Sequence, residues 1–345
     1  MEIGMEPRIV TVDDPRTIEF FSRDTELRPE IIQGLIRETQ IVAFGGDYGV
    51  GKSPLQAGLT IHLVHGIAWC GCEVQQRPVI AFDFETPGPT YKRNITNIAK
   101  HQGVRVPLVP DELDPYLELG SRDERGTARL LEVLKSKRIE NRFGLIREAL
   151  DAKPNALVFI DPVEMLFRID TREKPQILWL YSELRILLSE YPTAAIVLTF
   201  NLRKWDKRTV KANLLSGPRD WLQEVCGSND ILNRCDVRLG MDFFDEEIRV
   251  INGIRRGEDM HPLLVRPVGD EPSNLAGFEL VPPDKLNLRS TLTTKQLEHW
   301  RNLPREFRFD EGAQVVPKAS LSRLLARARS LGVVDERDGL YRKLA

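Results

Sequence analysis

Ile41-Val-Ala-Phe-Gly-Gly-Asp-Tyr-Gly-Val-Gly-Lys-Ser53 decides how the rest of the chain is read. Its first four residues are apolar and predict a short buried strand. Glycines follow, where backbone N–H groups can approach an anion with no Cβ in the way. Leu55, Leu59 and Leu63 then recur at helical spacing. A helix therefore starts where the glycines end and aims its positive end at the same anion. From Gly46 through Gly51 to Lys52 and Ser53 the stretch fits G-x-x-x-x-G-K-[ST]. In that pattern the lysine reaches the β- and γ-phosphates and the hydroxyl ligates Mg²⁺. Gly46, Gly49, Val50 and Gly51 are thus the candidate cradle, Lys52 the counter-charge and Ser53 the metal ligand. Pro54 joins them, since a first helical turn needs no N–H there. A glycine-rich turn with a chance lysine is the alternative; it does not call for the strand before or the helix after.

At 345 residues, one large and one small domain are expected, and a 41% apolar share supports a sizeable core. The net charge of −2 names no partner by itself. Its distribution is uneven: from Arg289 onward there are 12 Lys and Arg against 7 Asp and Glu, a net of +5. A basic tail is a modest pointer to nucleic acid. Four cysteines occur without a C-x₂-C pairing, so zinc is not expected, and free thiols in a reducing compartment are. His62 and His65 lack a matching ligand set nearby and read as core or solvated histidines. The polar, acidic start MEIGMEPRIVTVDD has no apolar leader, and no apolar run reaches membrane-span length. The expectation is a soluble cytoplasmic protein with no membrane partner.

The remaining pattern alternates strands and helices. Residues 1–40 form a lead-in, with a short helix and turn expected over Leu27–Ile36. Val79–Phe84 reads as a strand beside the first, ending at Glu85. Helices are expected over Tyr91–His101, in Ser121–Asp151 and over Glu173–Tyr191, and a further strand over Tyr116–Leu119. Ala156-Leu-Val-Phe-Ile-Asp161 is the clearest central strand, and Thr193–Phe200 another, ending at Asn201. Val237–Leu239 and Ile248–Ile254 read as antiparallel edge strands. This order implies an α/β core with a mostly parallel sheet over residues 1–270. Turn-rich residues 271–291 read as a linker. Residues 292–345 then predict three helices, over Thr294–Arg301, Leu303–Phe309 and Ser320–Leu331. A hairpin turning at Asp338-Gly339 closes the chain. Three helices and a hairpin are the winged-helix pattern.

Four chemical elements fall in order: Lys52 with Ser53, Glu85, Asp161 and Asn201. ATP hydrolysis needs a phosphate cradle, a metal ligand, a group that orients the attacking water, and a sensor of the γ-phosphate. Asp161, closing an apolar strand, suits the metal role beside Ser53; Glu85 suits the water-activating role. A lone strand-terminal carboxylate more often caps a helix. The four together, after this glycine loop, point to an ATPase using ATP and Mg²⁺.

On GGDYGVGKS, VIAFDFETP, ALVFIDP, IVLTFNLRK and GSNDILNRCDVRL the chain resembles the RecA/DnaB-type ATPases over about residues 25–268. It is most similar to the RepA-like hexameric replicative helicases, the AAA_25 group. The resemblance implies a RecA-like P-loop core, Glu85 as catalytic glutamate and Asp161 as the Walker B aspartate. It also implies a histidine where this chain has Asn201, with the lysine of that motif kept as Lys204. Asparagine can donate a hydrogen bond there but cannot carry charge. Arg255 and Arg256 are the resemblance's candidates for a finger reaching a neighbouring subunit; a solvated surface pair is the other reading.

The segment after Asn201 occupies the place of a DNA-contacting loop and offers Lys207, Arg208 and Lys211 next to Trp205. On the tail, Arg323 and Arg327 of the third helix and Arg337 and Arg342 of the hairpin are the DNA-facing candidates. An ordinary exposed loop and a protein-docking tail are the alternatives. The leading expectation is a ring-forming, ATP-driven DNA helicase acting as a homo-oligomer on DNA, a hexamer as the resemblance implies. The runner-up is a DNA-binding ATP switch, such as a replication initiator, helicase loader or regulator, without unwinding activity.

Overall fold

The computed structural model describes residues 27–107, 112–117, 140–202, 213–215, 217–225, 230–244, 247–255, 258–269, 275–282, 294–330 and 333–343. The chain opens with a small antiparallel hairpin, β1 (Glu30–Ile32) and β2 (Ile36–Arg37). A helix is expected there from sequence. Gly34, at φ +71°, turns the chain back, and buried Ile31, Ile32 and Ile36 favour extended pairing instead.

β3 (Ile41–Gly46) leads into the glycine loop and α1 (Lys52–His65). Gly66 ends α1 in the left-handed conformation, its N–H returning to His62 and Leu63 carbonyls. The histidines of this helix bond to backbone: His62 Nδ1 meets the Ile67 and Ala68 carbonyls, and His65 Nε2 the Arg105 carbonyl. β4 (Val79–Asp83), α2 (Gly88–His101), β5 (Leu113–Leu117), α3 (Glu140–Ala152) and β6 (Leu157–Asp161) follow. Next come α4 (Val163–Phe167), α5 (Lys174–Glu190) and β7 (Ala195–Asn201). After α6 (Pro218–Leu222) and α7 (Asp230–Arg234), β8 (Val237–Phe243), β9 (Arg249–Arg255), β10 (Glu258–Asp259), β11 (Leu263–Val268) and β12 (Gly277–Leu280) complete the sheet.

The strand order is β12-β11-β9-β8-β3-β7-β6-β4-β5, with β10 paired to β9. From β8 to β5 all neighbours are parallel; from β9 to β12 they are antiparallel. This is an α/β fold with a large, mostly parallel sheet. Three sequence expectations change here. β4 does not lie beside β3: β7 and β6, apolar almost throughout, take the central places between them. β8 and β9 are interior strands, because β8 pairs with β3 on one side and β9 pairs with β11 on the other. The span read as a linker contains β12, whose Phe278 is buried and whose residues pair with β11.

Side-chain alternation divides the core between the two faces of the sheet. Val42, Phe44, Ala81, Phe159 and Val197 pack with α1 and α2. Ile41, Ala43, Ile80, Phe82, Val158, Ile160 and Leu198 pack with α3, α5 and buried Trp221. Trp221 donates to Asp242 Oδ2 at 2.7 Å and lies where Gly240 leaves room. A Cβ on Gly240 would stand 2.4 Å from the indole.

The tail forms α8 (Thr294–Asn302), β13 (Glu306–Arg308), α9 (Phe309–Val315), α10 (Lys318–Ser330), β14 (Val334–Arg337) and β15 (Leu340–Lys343). The second helix expected over Leu303–Phe309 is displaced. Phe307 enters the core from β13, which pairs with β15, and the helix begins only at Phe309. Asp338 and Gly339, both at positive φ, make the hairpin turn. Among the described residues, no helix is long and apolar enough to cross a membrane.

Candidate functional site

Parallel strands open their carboxyl ends to one edge of the sheet, where ligands of such folds sit. The register brings that edge into line: Gly46 stands opposite Asn201, and Asp83 opposite Asp161. Four sequence candidates from four strands therefore converge there: the glycine loop after β3, Glu85 after β4, Asp161 on β6 and Asn201 on β7.

Gly49 and Gly51 hold φ of +76° and +109°, which side-chain-bearing residues rarely adopt. A Cβ on Gly51 would also stand 3.1 Å from the Phe278 ring. Lys52 folds back over this loop. Its Nζ donates to the Gly46 carbonyl at 3.0 Å, the Asp47 carbonyl at 3.2 Å and Asn201 Oδ1 at 3.1 Å. Burial pulls the Lys52 pKa down, and the charges of Asp161, Glu85 and Asp47 oppose that pull. An anion entering the loop would replace these carbonyls as the partner of a cation already held in place.

Asp161 is buried, and Oδ2 accepts from Ser53 Oγ and from Gln56 Nε2, each at 3.3 Å. Its other oxygen, Oδ1, is buried without a hydrogen-bond partner. Burial, then the neighbouring charges of Asp83 and Glu85, push this carboxyl up to about 7. An orphaned carboxylate oxygen beside a serine hydroxyl is a donor set that fits Mg²⁺. Asp83, also buried, accepts the N–H groups of Glu85 and Thr86 at 3.0 and 2.8 Å. That turn sets Glu85 at the end of β4, where Asn201 Nδ2 donates to its Oε1 at 3.4 Å. Asn201 thereby touches both Lys52 and the candidate base Glu85.

A cavity of about 810 Å³ opens over the loop. Tyr48 to Pro54, Glu85 and Thr86 form one side; Arg249, Arg266, Val268 and Phe278 form the other. The sequence reading missed this second wall. Arg249 Nε donates to the Val50 carbonyl at 3.2 Å, and its guanidinium stacks 4.1 Å from the Phe243 ring centre. Nothing local marks Arg249, because it is the pairing of β8 with β9 that sets it opposite Phe243.

The other candidates among the described residues do not line this cavity. Arg255 pairs in register with Val237, at the opposite end of the sheet, and its buried guanidinium meets Glu30 at 3.5 Å. Its own loop is not its neighbour. Arg256, Lys204, Lys207, Arg208 and Lys211 lie outside the described residues. On the tail, Arg323 is exposed and donates to the Ala319 carbonyl. Arg337 pairs with Asp335 at 3.0 Å and Arg342 with Glu306 at 2.9 Å. Arg327, expected to face outward, is half-buried, and that burial lowers its pKa. The helical repeat puts it at the margin of the inward stripe of Leu321, Leu324, Leu325 and Ala328.

No curated protein matches the chain in sequence. Among solved structures, a KaiC-like protein of the hyperthermophilic archaeon Pyrococcus horikoshii OT3 is similar at 12% identity and a TM-score of 0.43. The alignment covers 74% of this chain and 99% of that one. The family model described as AAA domain, AAA_25, matches residues 7–200, more than half of the chain. Strand, glycine loop, Glu85 and Asp161 all fall within that match, and the protein is a P-loop ATPase belonging to the AAA_25 family.

Proposed function

We propose that this ATPase is a DNA motor of the replicative-helicase type, working as a ring of identical subunits, with a winged-helix tail that holds DNA. The observation carrying the reading is the convergence of Lys52, Ser53, Asp161, Glu85 and Asn201 at one sheet edge. In the proposed cycle Lys52 and the loop amides hold the β- and γ-phosphates. Ser53 and Asp161 hold Mg²⁺, which neutralises charge on the phosphoryl oxygens when bound. Glu85 takes a proton from the attacking water, and the Asn201 amide orients it. Arg256, and Arg255 once freed from Glu30, are the candidates to complete a neighbouring subunit's site. Lys204, Lys207, Arg208 and Lys211 supply phosphate contacts along the strand.

The element order of the tail, helix, strand, two helices and a hairpin, supports the winged-helix reading. The ion pairs of Arg337 and Arg342 with acidic neighbours favour the second reading, a DNA-responsive ATP switch whose tail docks on protein. The experiment is strand displacement on a forked duplex, run with wild type and Glu85→Gln. Glu85→Gln is expected to bind ATP and to slow hydrolysis by at least about 100-fold. Displacement by wild type but not by Glu85→Gln supports the motor. DNA-stimulated hydrolysis without displacement selects the switch. Wild-type turnover in Glu85→Gln removes Glu85 as the base.

A further inference from the structure

Gln56 sits on α1 three residues beyond Ser53 and is only 6% exposed. Its side chain reaches from the helix to the sheet. The amide nitrogen donates to Thr199 Oγ1 on β7 at 2.7 Å and to Asp161 Oδ2 on β6 at 3.3 Å. In the ionised form that a metal ligand needs, the Asp161 carboxylate only accepts, so the amide presents its NH₂ edge and shares its two hydrogens between two strands.

This division has a geometric result. Gln56 and Ser53 both load Oδ2, leaving Oδ1 buried without a hydrogen-bond partner. The final torsion of an aspartate is broad, so a carboxylate without such a clamp can exchange its oxygens. Thr199 lies two residues before Asn201 on β7, so the two share a face of the sheet. Gln56 thus ties the metal-binding strand to the strand that contacts Lys52 through Asn201.

We propose that Gln56 is a positioning residue of the Mg²⁺ site. It fixes the rotation of the Asp161 carboxylate, holding Oδ2 against Ser53 and keeping Oδ1 clear of protein donors, so that the group would be set for a metal, and it keeps that carboxylate in step with β7. The proposal rests on the ATPase reading of the site.

The test uses the full chain as wild type, Gln56→Met and Thr199→Val. Methionine keeps the length and helix preference of glutamine and removes the donor. Mn²⁺ binding is followed by electron paramagnetic resonance with a non-hydrolysable ATP analogue present, and analogue affinity is measured separately in EDTA. Partners of metal ligands of this kind change metal affinity by about 10- to 100-fold when lost. Gln56→Met is expected to weaken Mn²⁺ binding in that range with metal-free analogue affinity unchanged. Thr199→Val should shift Mn²⁺ binding in the same direction by less. In turnover, the Mg²⁺ concentration for half-maximal rate rises while KM for ATP at saturating Mg²⁺ stays the same. Unchanged Mn²⁺ affinity in Gln56→Met overturns the proposal, as does an equal loss of analogue affinity in EDTA. Where Gln56→Met fails to fold, unchanged Mn²⁺ affinity in Thr199→Val overturns it. A wild type that binds neither analogue nor Mn²⁺ overturns the reading of the whole site, a result distinct from the others.

Discussion

Replacing Asp161 with asparagine should change how stability depends on pH. In the ligand-free protein, burial and the charges of Asp83 and Glu85 lift this carboxyl from its ordinary 3.8 to about 7. Between those values the unfolded chain releases the proton and the folded chain keeps it. The folded state therefore binds more protons, and stability falls as pH rises through that window. Each pH decade is worth about 1.4 kcal/mol. Between pH 5 and pH 8 about two decades of the window are crossed, so wild type should lose about 3 kcal/mol from this group. That is a ceiling, because Asp83 and Glu85 share the same field. The assay is urea denaturation at pH 5 and pH 8 for wild type and Asp161→Asn, without nucleotide or metal. The side chains are nearly isosteric, so the difference of the two pH differences isolates the carboxyl. Asp161→Asn should be the more stable protein at pH 8, and the gap should narrow at pH 5. Equal pH dependence in both proteins would refute the argument and return Asp161 to an ordinary, hydrated carboxylate.

Lys52→Ala should abolish tight ATP binding, since the amine that bridges the Gly46 carbonyl and Asn201 is the proposed phosphate counter-charge; equilibrium binding of a fluorescent ATP analogue checks it. Gly240→Ala should destabilise the fold by about 1–3 kcal/mol, because its Cβ meets an indole that Asp242 and the core hold still; an unchanged urea midpoint would contradict this. Deleting residues 291–345 should weaken duplex DNA binding, leave basal ATPase intact and flatten the salt dependence by about one log–log unit per lost phosphate contact. Unchanged affinity and slope would assign the tail to protein docking.

Local patterns carried most of what was legible in the sequence. The glycine loop, the apolar runs ending in Asp161 and Asn201, and the long helix over Lys174–Glu190 each announce themselves within a dozen residues. Strand order does not, because crossover helices allow several arrangements of the same apolar runs. Gln56 and Arg249 stayed hidden for the same reason. One is a polar residue in a helix and the other opens a strand; the Asp161 and Thr199 partners of Gln56 and the Val50 partner of Arg249 are over a hundred residues away in sequence. β13 was missed because a three-residue strand is too short to show a clear alternation, and Leu303 and Phe307, four apart, fit a helical spacing.

β12 gives the cavity wall a mechanical meaning. Phe278 rests against Gly51 of the phosphate loop, and β12 ends two residues later at Leu280, from where the chain leaves for the tail. Between the end of β12 and the glycine loop there are therefore two residues of paired strand and one ring contact. A pull on the chain at Leu280 would act along β12, against the hydrogen bonds that pair it with β11. Such a wall reports tension more readily than it reports contact. A displacement of β12 along its own axis would be felt at Gly51 through the Phe278 ring.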